Sequence, residues 1–576
     1  MYRYILFLKR PDVDGHAASL GPGDALQQEG LCPVVTSDNI DLYASPDTPV
    51  IRLSPGSVLI GHVFSRSSNT PIEGSAPPSI STDGKPARDL IENFWGEYLL
   101  IHVSDDKETT VVMRDPSGGV DCLYSMSGGF ITSDVSIAVR AHIFSRTIDW
   151  DFIRGALLYP HLKTGHTALL GLHELLPGYQ LSINGKGSCL EQTWNPWDFV
   201  AATRRHRHRH EAQADVRHAI ATTVKSWAEA DATLLLELSG GLDSSIVAAG
   251  LQDAQARIAC CNLTTPVPGA DERQYARQMA DLLQTELHVQ ALGFESACFD
   301  FPPPAHAVTP STWFLQHASN ALKEKIGSRL GVNSFFSGGG GDTVFCYTRT
   351  AAPAADAFHE CGMIAGLRAI RDLAELHQCT VWKAGRLTFR KLFSPPKSPR
   401  KPNQSFLAKK SAGFVPNPHP WFMAPDGALP GDRERIFDLA GTQVFKDGLE
   451  RGVRWQLRMP LLSQPVMEAC LKVPSWMWIA GGRNRAVARD AFADRLPAAI
   501  LHRRSKGTFM NYSGAFYRRN RHCLREYLLT GQLEAHGLLD ADALRQHFDH
   551  APAPRDNAFM RIFDLCAAEN WIRHQV

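Results

Sequence analysis

A short apolar run, Thr233-Leu-Leu-Leu-Glu-Leu238, breaks directly onto Ser239-Gly240-Gly241-Leu242-Asp243-Ser244-Ser245, and a helical pattern, Ile246–Leu251, follows at once. A run this short between turn signals fits a strand buried on both faces, the kind found in parallel sheets. Two glycines let the backbone approach an anion without a Cβ clash. The first N–H groups of the following helix point outward unpaired, and the helix dipole favours negative charge there. Ser239, Ser244 and Ser245 add hydroxyl donors. Asp243 would repel a bare phosphate but suits a Mg²⁺ ion that neutralises one. The segment lacks the lysine of the G-x-x-x-x-G-K-[ST] loop and the spacing of the dinucleotide G-x-G-x-x-G loop.

The 576 residues predict more than one domain. Residues 1–202 hold short β-type runs between turn residues, among them Tyr4–Leu8, Val58–Phe64, Tyr98–Val103, Thr110–Met113, Gly129–Ser133 and Tyr179–Ile183. A basic run with no apolar face, around Thr203–His210, marks a linker over 203–212; its three histidines lack the partners and spacing of a metal site. From residue 213 to 576 strand and helix patterns alternate, with Arg257–Leu263 as a strand and Asp271–Leu283 as a helix, which predicts an α/β parallel-sheet domain. Within it, 383–410 holds nine Lys or Arg, several prolines and no Asp or Glu, and is expected to be an exposed basic insertion.

Lys plus Arg number 60 and Asp plus Glu 59, so no global basic field points to nucleic acid. No apolar run is long enough for a membrane span, and the five apolar residues after Arg3 suit a first strand better than a secretory signal. Twelve sparse cysteines without a C-x-x-C pair fit reduced thiols in a cytoplasmic protein.

The Ser239–Ser245 segment resembles the pyrophosphate loop of the asparagine synthetase-like superfamily, the N-type ATP pyrophosphatases that split ATP into AMP and pyrophosphate. Phe335-Phe-Ser-Gly338-Gly339-Gly340-Gly341-Asp342-Thr343-Val-Phe345 is similar to that family's second motif. The resemblance implies that ATP contacts Leu238, Ser239, Gly240, Gly241, Asp243, Ser244, Ser245 and Gly338. It implies also that Asp243 and Asp342 bind Mg²⁺, with Asp342 part of the catalytic set. The motif's first and last acids are Gly339 and Thr343 here, which counts against a plain asparagine synthetase. Asn484-Arg485-Ala-Val-Ala-Arg489 resembles the helix carrying a phosphate-binding lysine, with Arg485 in its place. Arg504-Ser-Lys506-Gly507 resembles the stretch carrying a catalytic lysine, which assigns that role to Lys506. Arg458-Met-Pro460-Leu-Leu462 echoes a further family stretch and is expected to pack behind the site.

The first domain resembles class II (Ntn-type) glutaminase domains through Arg114-Asp115-Pro116-Ser-Gly118, Leu123-Tyr124 and Leu172–Tyr179. That chemistry needs a cysteine at position 2, where this chain has Tyr2, and an Asn-Gly-Glu triplet, where Asn184-Gly185 continues with Lys186. The resemblance thus implies a structural domain, and a nucleophilic amine that arrives on the substrate. The four-glycine second motif is most similar to lasso-peptide macrolactam cyclases. These adenylate an Asp or Glu side chain of a precursor peptide, and a leader peptidase frees the attacking amine. A β-lactam-synthetase-like ligase, an ammonia-dependent asparagine synthetase and a non-catalytic nucleotide-binding partner stand as alternatives.

Overall fold

A computed structural model describes residues 2–575, apart from 10–21, 55, 73–85, 161, 270, 312, 348, 394–400, 410–416, 418, 448–453, 505–506 and 551–556. The strand Thr233–Glu237 is the middle of a five-stranded parallel sheet. Its neighbours are Arg257–Thr264 on one side, with Leu287–Ala291 beyond, and Ser334–Ser337 on the other, with Gln456–Arg458 beyond. Glu237 lies opposite Cys261 and Ser337 in the two flanking registers. Leu234 and Leu236 join the core cluster that holds Val224, Trp227 and Val247, whereas Leu235 joins Ile326 and Phe335 in another. The alternation explains why the run is apolar on both faces. Chain order reverses beside this strand, since the second and third strands lie to one side and the fourth and fifth to the other. Doubly wound sheets open a crevice at such a switch point, outside the carboxyl ends of the strands.

The N-terminal part is two six-stranded antiparallel sheets. Tyr4–Leu8 sits inside one, between Phe130–Thr132 and Ile40–Ala44. In the other, Phe94–Val103 lies between Ser57–Ser65 and Thr110–Arg114. Tyr4 and Leu6 share their apolar core with Val58, Ile60, Leu99 and Ile101. The fold is therefore an antiparallel sheet sandwich followed by a parallel α/β domain.

The two parts share one core. Trp227, on the helix Arg209–Asp231, meets Phe64 edge-on at 4.8 Å, and Phe64 stacks on Trp95 at 4.4 Å. The run expected as a linker is also tied down: Arg205 pairs with Asp432 and, at 3.1 Å, with Glu360. His206 reaches Asp215 at 3.0 Å.

Part of the basic insertion is helical. Val381–Phe393 is a helix lying antiparallel on the helical segment Ala352–Leu376, which kinks at Gly362 (φ 78°), with Ala384 and Thr388, four residues apart, buried in the contact. Residues 394–400 and 410 of the insertion lie outside the described residues. Among the described residues no helix is long and apolar enough to cross a membrane.

Candidate active site

Two loops leave the carboxyl ends of adjacent strands and meet over the switch point. The first turns on Gly240, whose φ of 76° lies in the left-handed region; a Cβ there would stand 2.9 Å from the Glu272 carbonyl oxygen. The helix Leu242–Leu251 begins immediately after, so Asp243, Ser244 and Ser245 occupy its first turn. The second loop, Gly338–Gly340, runs into the short helix Gly341–Val344. The loops touch through glycine: a Cβ on Gly338 would lie 2.5 Å from the Ser244 nitrogen, and one on Gly341 would lie 2.5 Å from the Asp243 side chain.

This contact brings the two predicted metal-binding aspartates together around one cation. Nη1 of Arg485 donates to Asp243 Oδ1 at 2.9 Å and to Asp342 Oδ1 at 2.7 Å. Its guanidinium also lies 5.0 Å from the Tyr347 ring centre. Arg485 thus reaches both loops from the helix cap before Ala486–Ala491, where its own φ of 52° is left-handed. Two carboxylate oxygens converging on one positive group are the donor set that hard divalent cations prefer, so the residues present fit Mg²⁺.

The loops wall a cleft of about 250 Å³ lined by Leu238, Ser239, Gly241, Asp243, Ser244, Gly338 and Gly339. Ser239 and Ser244 share a hydroxyl contact of 3.1 Å at the helix start. Two of the loop residues serve its structure. Ser245 is fully buried and its hydroxyl donates to the Gly241 carbonyl at 2.8 Å, the usual back-bond of a serine inside a helix, so it offers no donor to the cleft. Gly240 likewise shapes the turn and does not line the cleft.

Several lining residues escaped sequence reasoning. Asn262 donates to the Leu238 carbonyl at 2.8 Å, while its buried Oδ1 has no donor among the described residues and leaves an acceptor in the wall. Lys323, on the helix Phe314–Leu330, donates to Glu237 at 2.8 Å, and burial lowers its pKa. A charged Glu237 inside an otherwise apolar strand was the one signal that such a partner existed.

Lys506 and Ser505 lie outside the described residues, but their flanks are pinned to the mouth of the cleft. Arg489 donates to the carbonyls of Ile500, Leu501 and Arg503 at 3.2, 2.6 and 3.1 Å. Glu272 takes the Arg503 guanidinium and the Gly507 N–H. Gly507, Thr508 and Phe509 line the cleft.

A sequence profile of the asparagine synthase family matches residues 215–573, more than half of the chain and all of this cleft. The chain belongs to the asparagine synthase family. Membership makes it an ATP-using, amide-forming ligase. No curated protein matches the sequence. Two solved structures share 11% and 12% identity with this asparagine synthase-family chain. One, described as the allosteric regulatory enzyme of purine biosynthesis, covers 58% of this chain and 89% of its own at a TM-score of 0.21. The other, a B. subtilis glutamine phosphoribosylpyrophosphate amidotransferase complexed with ADP and GMP, covers 58% and 90% at 0.19. Likeness at that level carries no functional information.

Away from the cleft, Arg458 at the end of the strand Gln456–Arg458 ties the parallel-sheet domain to the N-terminal domain. Arg458 is fully buried over the Trp227 ring at 4.0 Å and binds Asp231 at 2.9 and 3.0 Å. It also pairs with Glu97 and donates to the Tyr2 phenol oxygen at 2.9 Å. The Tyr2 oxygen lies 2.9 Å from His62 Nδ1, and burial raises the phenol's pKa far above its ordinary value. Burial pushes Glu97 up, but Lys446 and Arg458 outweigh it and hold the carboxyl at about 2.

Proposed function

We propose that this ligase closes a macrolactam ring in a ribosomally made precursor peptide, as lasso-peptide cyclases do. The observation that carries the reading is the locked Tyr2 phenol. The residue standing where a glutaminase needs its cysteine is a buried hydrogen-bond partner of Arg458 and supplies no nucleophile for releasing ammonia. The amine then comes with the substrate. Gly339 agrees, since the Met459 sulfur lies 3.2 Å from where its Cβ would be, leaving an apolar wall where the family carries an acid.

In this reading the ATP phosphates sit on the N–H groups of the Leu242–Leu251 helix start, beside the Ser239 and Ser244 hydroxyls. Mg²⁺, when held by Asp243 and Asp342, neutralises the phosphates, and Arg485 binds the charge that develops on the departing pyrophosphate. A carboxylate oxygen of an Asp or Glu side chain in the peptide attacks the α-phosphorus. The bond to the bridging oxygen breaks and its electron pair leaves with pyrophosphate. The peptide's α-amine then bonds to the acyl carbon, AMP departs with the acyl C–O pair, and the amine loses a proton. Lys506 stabilises charge on the acyl and phosphoryl oxygens, and the cleft holds the two ends of one peptide in reach of each other. A leader peptidase that frees the α-amine is the expected partner.

The test is to incubate the purified chain with ATP, Mg²⁺ and a linear peptide that carries a free α-amine and an Asp or Glu side chain. Mass spectrometry should show a product lighter by one water, with one AMP formed per ring. Conversion of aspartate and ammonia to asparagine with no change in the peptide would contradict the reading.

A further inference from the structure

The hairpin of Ala352–Leu376 and Val381–Phe393 carries the three most exposed large apolar side chains among the described residues, and several others. Trp382 is 88% exposed, Phe393 81%, Ile364 78% and Met363 72%. Isolated exposed apolar residues are ordinary, but a contiguous group marks an interaction surface. Trp382, Phe389 and Phe393 stand seven and four residues apart and so form one stripe along the shorter helix. Phe389 and Phe393 face each other almost in parallel with ring centres 6.4 Å apart. Arg386, Arg390 and Lys383 follow on the adjoining face, all exposed, and this helix contains no acid.

The inner end of the hairpin meets two segments that adjoin site residues in sequence. Asp372 accepts the Gly481 N–H at 3.2 Å, and Glu375 lies 3.9 Å from Arg504. Those partners flank Arg485 and the segment that leads to Lys506. From Trp382 to Phe393 the helix advances about 16 Å, the reach of about five extended residues.

We infer that this stripe is the docking rail for the peptide substrate, and that it selects a segment in which apolar side chains are interspersed with carboxylates. The aromatic rings take the apolar side chains, and Lys383, Arg386 and Arg390 take the carboxylates. A second copy of the chain fits less well, because a basic stripe repels its like. An anionic bilayer meets Asp372 and Glu375 at the end nearest the cleft. The inference rests on the peptide-ligase reading above.

The probe is a fluorescein-labelled peptide, Gly-Glu-Phe-Glu-Ser-Leu-Glu-Gly, titrated with the full chain and followed by anisotropy. A control peptide has every Glu replaced by Lys. The acidic peptide should bind at least about tenfold tighter than the control. Replacing Trp382, Phe389 and Phe393 together by Ser should weaken binding at least tenfold, while ATP affinity stays unchanged and reports an intact fold. Replacing Lys383, Arg386 and Arg390 by Glu should reverse the preference between the two peptides. Equal binding of both peptides, or undiminished binding by the triple Ser variant, overturns the inference. So does binding to phosphatidylglycerol vesicles, or self-association by sedimentation, that is lost in the Ser variant while the peptide is ignored. Hairpin-dependent peptide binding without AMP formation from any peptide would instead sink the ligase reading alone.

Discussion

At the scale of single residues, two charge arrangements carry the account. Asp243 and Asp342 converge on one cation, so they should act as one unit. Asp243→Ala and Asp342→Ala should each lower pyrophosphate release at least about a hundredfold. The double variant should be little worse than either single one, because the shared ion is already lost; pyrophosphate release from ATP reads this directly. The second arrangement joins Tyr2, Glu97, Asp231 and Arg458. Glu97 is held at about 2 against an ordinary 4.5, a folded-state depression. The stability it adds is therefore complete above pH 4.5 and is lost as pH falls toward 2. Glu97→Gln should cost about 3 kcal/mol at pH 7, and denaturant melts should show the gap closing between pH 4.5 and 2. A gap that persists at low pH would show that packing, not charge, set the cost. Of these residues, Asp243 was legible because its loop chemistry is local. Glu97 and Asp231 were not, since nothing near them in sequence announces Arg458.

At the scale of elements, the site is made by two glycine loops that approach too closely for any side chain. Gly338→Ala would place a methyl 2.5 Å from the Ser244 nitrogen. The loops must then part, and the KM for ATP should rise at least about tenfold while stability falls by about 1–3 kcal/mol. An unchanged KM would mean that ATP does not span the two loops. The strand, loop and helix around Gly240 could be read from sequence because each signal is short-range: a buried run, a turn and a helix start. The helix begins at Leu242, three residues after Ser239, which rotates the Ser245 hydroxyl onto the Gly241 carbonyl, a placement the sequence did not announce. The helix Val381–Phe393 was hidden by its charge and the prolines that follow, although Ala384 and Thr388 carry the spacing of a packed face. Glu272, Asn262 and Lys323 come from three separate elements that only the parallel sheet brings together.

At the scale of the whole molecule, the sheet sandwich and the parallel-sheet domain are built on one core. Trp227 packs on Phe64 and Trp95 across the junction, and Arg458 crosses to Tyr2 and Glu97. The two parts should therefore unfold in one transition, and Trp227→Ala should cost about 3–5 kcal/mol. Calorimetry on the full chain checks this, and two resolved transitions in the parent protein would refute the shared core. The order of the parts was legible from the change in texture near residue 203. Their fusion was not, because it depends on residues far apart in the chain. The measurement that tests the central claim most directly is product analysis with ATP labelled at the α-phosphate and a carboxylate-bearing peptide present. The account predicts labelled AMP with unlabelled pyrophosphate, both abolished by Asp243→Ala. Labelled ADP with orthophosphate, or no turnover of ATP at all, would contradict it.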